Sequence, residues 1–222
     1  MSSARVKTGL DVLADETFRR LRGLRVGLLV HQASVDANLV HATTRLRDAG
    51  IEVAVLFGPE HGLSSAAQDM EAVGRESSVD RLRIYSLYGD DDASLHPTAE
   101  MLTGLDVVVV DLQDVDARYY TYAATMGFVM EAAARLGVRV MVLDRPNPLG
   151  GRDEDIEGPC IAPSHHSFVG AYDMAIRHGL TIGEYARFVL GLTVVAVAAW
   201  VLYGLVATPS QLFTIEYRPA EY

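Results

Sequence analysis

Glu60 and His61 stand in "FGPEHG" (57–62), directly after an apolar run and between two glycines. An ordinary turn would use Asn, Asp or Ser there. A carboxyl group presented over an apolar strand end is partly desolvated, which raises its pKa and suits it to donate a proton at neutral pH. His61 beside it can hydrogen-bond a ligand hydroxyl or tune Glu60. The structural alternative is that Glu60 caps a following helix and His61 is exposed.

A second group of chemistry-bearing residues lies in "DLQDVDARYYTY" (111–122). Asp111, Asp114 and Asp116 are candidate carboxylates, and Gln113 both donates and accepts hydrogen bonds. Arg118 offers a planar fork that grips a carboxylate bidentately. Tyr119, Tyr120 and Tyr122 supply flat faces and hydroxyls suited to stacking on sugar rings. The alternative is that Asp111 and Asp114 cap the next helix and Arg118 pairs with them. A third group is "LDRPNPLGG" (143–151), where Pro146 and Pro148 stiffen a loop carrying Asp144, Arg145 and Asn147. Its alternative is a structural loop with an Asp144–Arg145 ion pair.

Each group follows an apolar run that reads as a buried strand. The runs are "LRVGLLV" (24–30), "IEVAVLF" (51–57), "LRIYSLYG" (82–89), "LDVVVVDL" (105–112) and "VRVMVLD" (138–144). Helical periodicity covers 9–22, 38–50 and 120–137, and 181–191 opens with Thr181 and Glu184 at capping-box spacing. Nearly all-apolar strands alternating with helices predict an α/β, Rossmann-like parallel sheet with helices on both faces. In such sheets ligands bind beyond the carboxyl ends of the strands, so the three groups should share one rim. The loop at 150–170 is the longest irregular stretch, and loops of that length are often functional.

Half of the 222 residues are hydrophobic and the net charge is −10, which fits a folded domain and argues against a nucleic-acid partner. The single cysteine, Cys160, excludes an internal disulfide. The first residues have no apolar signal region, so a cytoplasmic location is expected. No spaced metal-ligand set is found and the adjacent His165 and His166 do not make one, so no metal is expected. There is no glycine phosphate cradle and no GxSxG elbow, and no cofactor is expected. His178 precedes a helix start and either reaches the rim or is solvated. Residues 188–207 carry no charge over about the length of a membrane span. "TVVAVAAW" (193–200) also fits a buried strand, and buried core is favoured over a membrane contact.

The segments "LFGPEHGL", "YSLYG", "DLQDVDARYYTY", "LDRPNPLGG", "EGP", "SFVG" and "RHGLTIGE" occur in that order. Together they resemble the bacterial exo-β-N-acetylmuramidase family, glycoside hydrolase family 171, over about residues 24–190. The resemblance implies an enzyme of peptidoglycan turnover that releases N-acetylmuramic acid from non-reducing ends, with a sugar or muropeptide as its partner. It implies a Rossmann-like domain over 1–190, with 191–222 a divergent apolar tail where the family's smaller C-terminal domain is missing, and activity reduced accordingly. By motif, the family's catalytic glutamate falls on Glu60, beside His61. The binding motifs fall on Gln113, Asp114, Arg118, Tyr120 and Tyr122, and on Asp144, Arg145 and Asn147. Glu60 is expected as the acid and Asp114 as the partner that activates water or stabilises positive charge. Arg118 or Arg145 is expected to recognise the lactyl carboxylate. The family usually has glycine where Asp116 stands, so a positive φ there would carry a cost. The alternative function is a non-catalytic muropeptide-binding module, tethered by 188–207.

Overall fold

The computed structural model describes residues 6–60, 76–79, 82–89, 91–202 and 215–218. Its strands are β1 (Arg25–Val30), β2 (Glu52–Gly58), β3 (Glu76–Val79), β4 (Leu82–Ser86), β5 (Val107–Asp111), β6 (Arg139–Leu143) and β7 (Ile215–Arg218). Its helices are α1 (Gly9–Asp15), α2 (Ala42–Asp48), α3 (Ala99–Leu102), α4 (Tyr122–Arg135) and α5 (Ile182–Leu202). One sheet has the order β3-β4-β2-β1-β5-β6-β7, and every pairing is parallel except β3 with β4. This is the Rossmann-like α/β architecture expected from the alternating pattern.

The run of four valines in β5 has a simple cause. Side chains alternate between faces with period two. Val107 and Val109 join the core beneath α1 and α2, while Val108 and Val110 join the core shared with α3, α4 and α5. Both faces are dry, so neither set can be polar. Burying each of these side chains is worth roughly 1.5–3 kcal/mol before entropy is counted. The strand is therefore a rigid mount for whatever follows Asp111.

Several boundaries differ from the sequence expectation, each for a local reason. The helix expected over 9–22 stops at Asp15, because Thr17 and Phe18 turn the chain with φ of 54° and 53°. The helix expected from 38 begins at Ala42 instead. Asp36 draws the backbone N–H groups of Asn38 and Val40 into a turn, and His41 then caps the helix by accepting from Thr43 N. The strand alternative for "TVVAVAAW" is overturned, since these residues continue α5, which runs unbroken for 21 residues. The Thr181–Glu184 capping box is present in both directions, at 2.9 and 3.2 Å. Among the described residues no helix is long and apolar enough to cross a membrane.

Strand order reverses at β1. From β1 the chain crosses to β2 on one side, and β5 adds on the other. The crevice above the carboxyl ends of β1 and β5 is thus the topological switch point, where open parallel sheets hold their ligands.

Candidate active site

β2 ends at Gly58, and Pro59 passes the chain into the turn that carries Glu60. Glu60 is half-buried, and its Oε2 accepts the hydroxyl of Thr121. Thr121 is the residue before α4 and is buried. An N-cap threonine normally turns its oxygen toward the helix N–H groups. Here the residue has helical dihedrals (φ −66°, ψ −7°) and makes no side-chain cap. Its hydroxyl serves Glu60 instead, so the carboxyl is fixed from the β5–α4 connection as well as from β2. His61 lies outside the described residues.

The β5 loop is tied to its neighbours on both sides. Gln113 donates from its backbone to His31 Nε2 at 3.0 Å and from its side chain to Pro146 O at 3.1 Å. His31, the first residue after β1, is buried, with its ring edge-on to Tyr122 at 4.8 Å. Burial first, then the nearby Arg145 charge and His41, lower the His31 pKa to about 4. The ring is therefore neutral at pH 7. Accepting through Nε2 puts its proton on Nδ1. Sequence reasoning missed His31, although "VHQAS" also places a polar residue at a buried strand end.

Arg145 and Asp111 form a buried ion pair, with Arg145 Nε 2.6 Å and Nη2 3.0 Å from the two carboxylate oxygens. Nη2 also donates to Val35 O. Three guanidinium bonds of Arg145, from Nε and Nη2, are thus made inside the protein. Its guanidinium pairs with Asp111, while its backbone N–H donates to Asp144 Oδ1 at 2.9 Å. Asp144 also accepts from Thr181 Oγ1 at 3.0 Å and from Gly183 N at 2.8 Å, anchoring the start of α5. Asn147 closes its own loop, accepting from Leu149 N and donating to Leu180 O.

Asp114 turns inward and is 3% exposed. Its Oδ2 accepts from Asp116 N at 2.7 Å and lies 3.3 Å from His178 Nε2. Leu180 N donates to His178 Nδ1 at 3.1 Å, and the same nitrogen lies 3.3 Å from Asp116 Oδ1, so the ring sits between the two carboxylates. Asp116 has φ of 64°, the left-handed conformation that makes a side chain costly. Its buried carboxylate accepts from Gly179 N at 2.6 Å and from Arg177 Nε at 3.0 Å. His178 is thus a buried residue on this network and is not solvated.

Arg118 fastens the long loop from beneath. Its backbone N–H donates to Ile176 O, and Nη1 donates to Met174 O and Pro159 O at 2.6 and 2.9 Å. It pairs with neither Asp111 nor Asp114 among the described residues. Tyr120 and Tyr122 pack with centroids 4.5 Å apart; Tyr122 is buried, Tyr120 half-buried, and Tyr119 is 61% exposed. Burial, then Tyr122 and Asp114, push the Tyr120 hydroxyl pKa well above its ordinary value, so it remains a hydrogen-bond donor.

Glu60, Gln113 and Tyr120 therefore converge on one rim as half-buried groups, while Asp111, Asp114, Asp144 and Arg145 form the buried frame beneath them. Residues 26–213 match the family described as exo-beta-N-acetylmuramidase NamZ, N-terminal. The chain belongs to that family. The match runs past residue 190, where the quoted motifs end. The chain is 44% identical over 186 residues to the peptidoglycan beta-N-acetylmuramidase NamZ of Bacillus subtilis (strain 168), covering 82% of this chain and 43% of that protein. Two crystal structures of DUF1343 family proteins from Bacteroides fragilis NCTC 9343 share the fold. The first has a TM-score of 0.76 at 40% identity, over 86% of this chain and 47% of the other. The second has 0.69 at 28% identity, over 85% and 48%. The chain thus spans less than half the length of the relatives it matches.

Proposed function

We propose that this chain carries the catalytic α/β unit of an exo-β-N-acetylmuramidase, a glycoside hydrolase releasing N-acetylmuramic acid from non-reducing ends of peptidoglycan fragments. The observation that carries the reading is the Glu60–Thr121 hydrogen bond, which holds a half-buried carboxyl at the strand-end rim of a NamZ-family domain. The printed activity of the Bacillus subtilis relative supports the substrate class.

In this reading Glu60 protonates the leaving glycosidic oxygen and water adds at the anomeric carbon. The proton that the added water loses passes to solvent, from which Glu60 is reprotonated. The Gln113 amide nitrogen already donates to Asp114 O and Pro146 O, so its oxygen accepts from a sugar hydroxyl, and Tyr120 donates to the sugar. Arg118, held by two backbone carbonyls, is the guanidinium assigned to the lactyl carboxylate. Asp114, buried against His178, serves by holding the 113–118 loop, a different role from the water-activating one expected from sequence. Arg145, Asp144, Tyr122 and Asn147 act as the frame. The reading takes the family-matched span 26–213 as the catalytic unit, which carries α5 past residue 190, with a sugar or muropeptide as partner. A cytoplasmic place of action accords with a lone cysteine, Cys160, that is free and exposed.

The test is incubation with a disaccharide of N-acetylmuramic acid β-linked to N-acetylglucosamine, with products identified by mass spectrometry. Release of both monosaccharides supports the reading. Intact disaccharide after prolonged incubation with folded protein counts against it.

A further inference from the structure

Two segments that no role above accounts for, "YSLYG" and "SFVG", meet in space. Tyr88 follows β4, and Leu87 N donates to Gly58 O at 2.8 Å, so Tyr88 stands beside the turn that carries Glu60. Ser167 and Gly170 close a tight turn through Gly170 N to Ser167 O at 3.0 Å, with Phe168 and Val169 at its tip. Val169 is 53% exposed, whereas Phe168 is half-buried, its ring 6.1 Å from Tyr88 and 6.1 Å from Phe128. Phe128 is backed by His96 at 4.2 Å. Phe128 lies seven residues after Thr121 on α4, so both share one helix face. The turn is fixed by close packing, since a Cβ on Gly170 would come within 2.2 Å of Ile161 Cδ1.

The order of groups along the rim gives this aromatic pile its meaning. Gln113 and His31 stand over the β1–β5 switch point, Glu60 at the end of β2, and Tyr88 at the end of β4. Adjacent strands are about 4.8 Å apart. Glu60 therefore lies between a polar region and an aromatic one. A general acid protonates the oxygen that joins two sugar rings, so one ring must lie on each side of it. The hydrogen-bonding side suits the ring at which the bond breaks. Flat ring faces, fixed by their neighbours, suit the apolar face of a pyranose at little entropic cost.

We propose that Tyr88 and Phe168, supported by Phe128, form a stacking subsite for the sugar on the leaving-group side of the scissile bond. The proposal rests on the glycosidase reading above and names the second half of its substrate. The test is saturation-transfer NMR in a Glu60→Gln background, with the same disaccharide as probe and the protein's aromatic protons irradiated. The strongest saturation is expected on the reducing-end N-acetylglucosamine ring. Phe168→Leu and Tyr88→Leu, which keep an apolar side chain but remove the flat face, are each expected to weaken binding about tenfold. Saturation centred on the muramic ring, saturation unchanged in both variants, or none at all overturns the subsite. Turnover is read separately with Glu60 intact. Reducing-end saturation without hydrolysis counts against the hydrolase reading, and hydrolysis without that saturation counts against the subsite.

Discussion

Thr121 donates its hydroxyl to Glu60, and by doing so gives up the capping role its position offers. One hydrogen bond thus links the end of β2 to the start of α4 and sets the direction of the carboxyl. Thr121→Val keeps the shape and removes the donor. The expected result is a fall in kcat of about tenfold with KM nearly unchanged. Unfolding free energy should change by about 1 kcal/mol or less, because no helix cap is lost. Thr121→Ser should restore most of the rate. Steady-state kinetics alongside denaturant melts would check this, and a large stability loss with an unaltered kcat would count against it.

The Arg145–Asp111 pair lies inside the protein at 2.6 Å, and breaking it from one side strands a charge. Arg145→Met is expected to cost about 3–5 kcal/mol of stability, since Asp111 is then buried without compensation. Adding Asp111→Leu to that variant should recover much of the loss. Urea melts of the single and double variants decide whether the coupling exists.

Asp116 combines a positive φ with a carboxylate that binds Arg177 and Gly179. Glycine there would relieve backbone cost but lose both partners, and alanine would lose the partners and keep the cost. Asparagine tolerates the conformation and retains an acceptor. The expected stability order is Asp, then Asn, then Gly, then Ala. An Ala variant as stable as the parent would show that the conformation or the partners matter little.

His31 makes stability depend on pH. Its imidazole binds a proton near 6.5 when unfolded but only near 4 when folded. Between those values the unfolded chain holds the extra proton, so acid favours unfolding. The stabilisation is complete above about pH 6.5, declines as pH falls toward 4, and levels off below; it amounts to at most about 3 kcal/mol. His31→Gln keeps an acceptor for Gln113 N and removes the titration. Its urea midpoint should fall less between pH 7 and 4 than the parent's, and an equally steep fall would refute the assignment.

Much of the frame was legible because it depends on patterns that repeat. Alternating buried strands and helices forced the parallel sheet, and three polar segments after strands β2, β5 and β6 marked the rim. The sequence could not reveal which charged groups face inward. Asp111, Asp114, Asp144 and Arg145 have the composition of an open site, yet their partners are Arg145, His178, the α5 start and Asp111, contributed by distant segments. His31 was missed for the opposite reason: it is a single polar residue after a plain apolar strand, and its significance comes only from the switch point above it. The early end of the first helix followed from positive φ at Thr17 and Phe18, which neither residue type announces.

The account depends most on Glu60 as the proton donor to the leaving oxygen. The direct measurement is the rate at which parent and Glu60→Gln proteins cleave the N-acetylmuramic acid–N-acetylglucosamine disaccharide, each first checked for an equal unfolding midpoint. The predicted result is a loss of about 10²–10⁴-fold in kcat with the fold intact. A folded Glu60→Gln protein that cleaves the disaccharide at the parent rate would contradict the assignment.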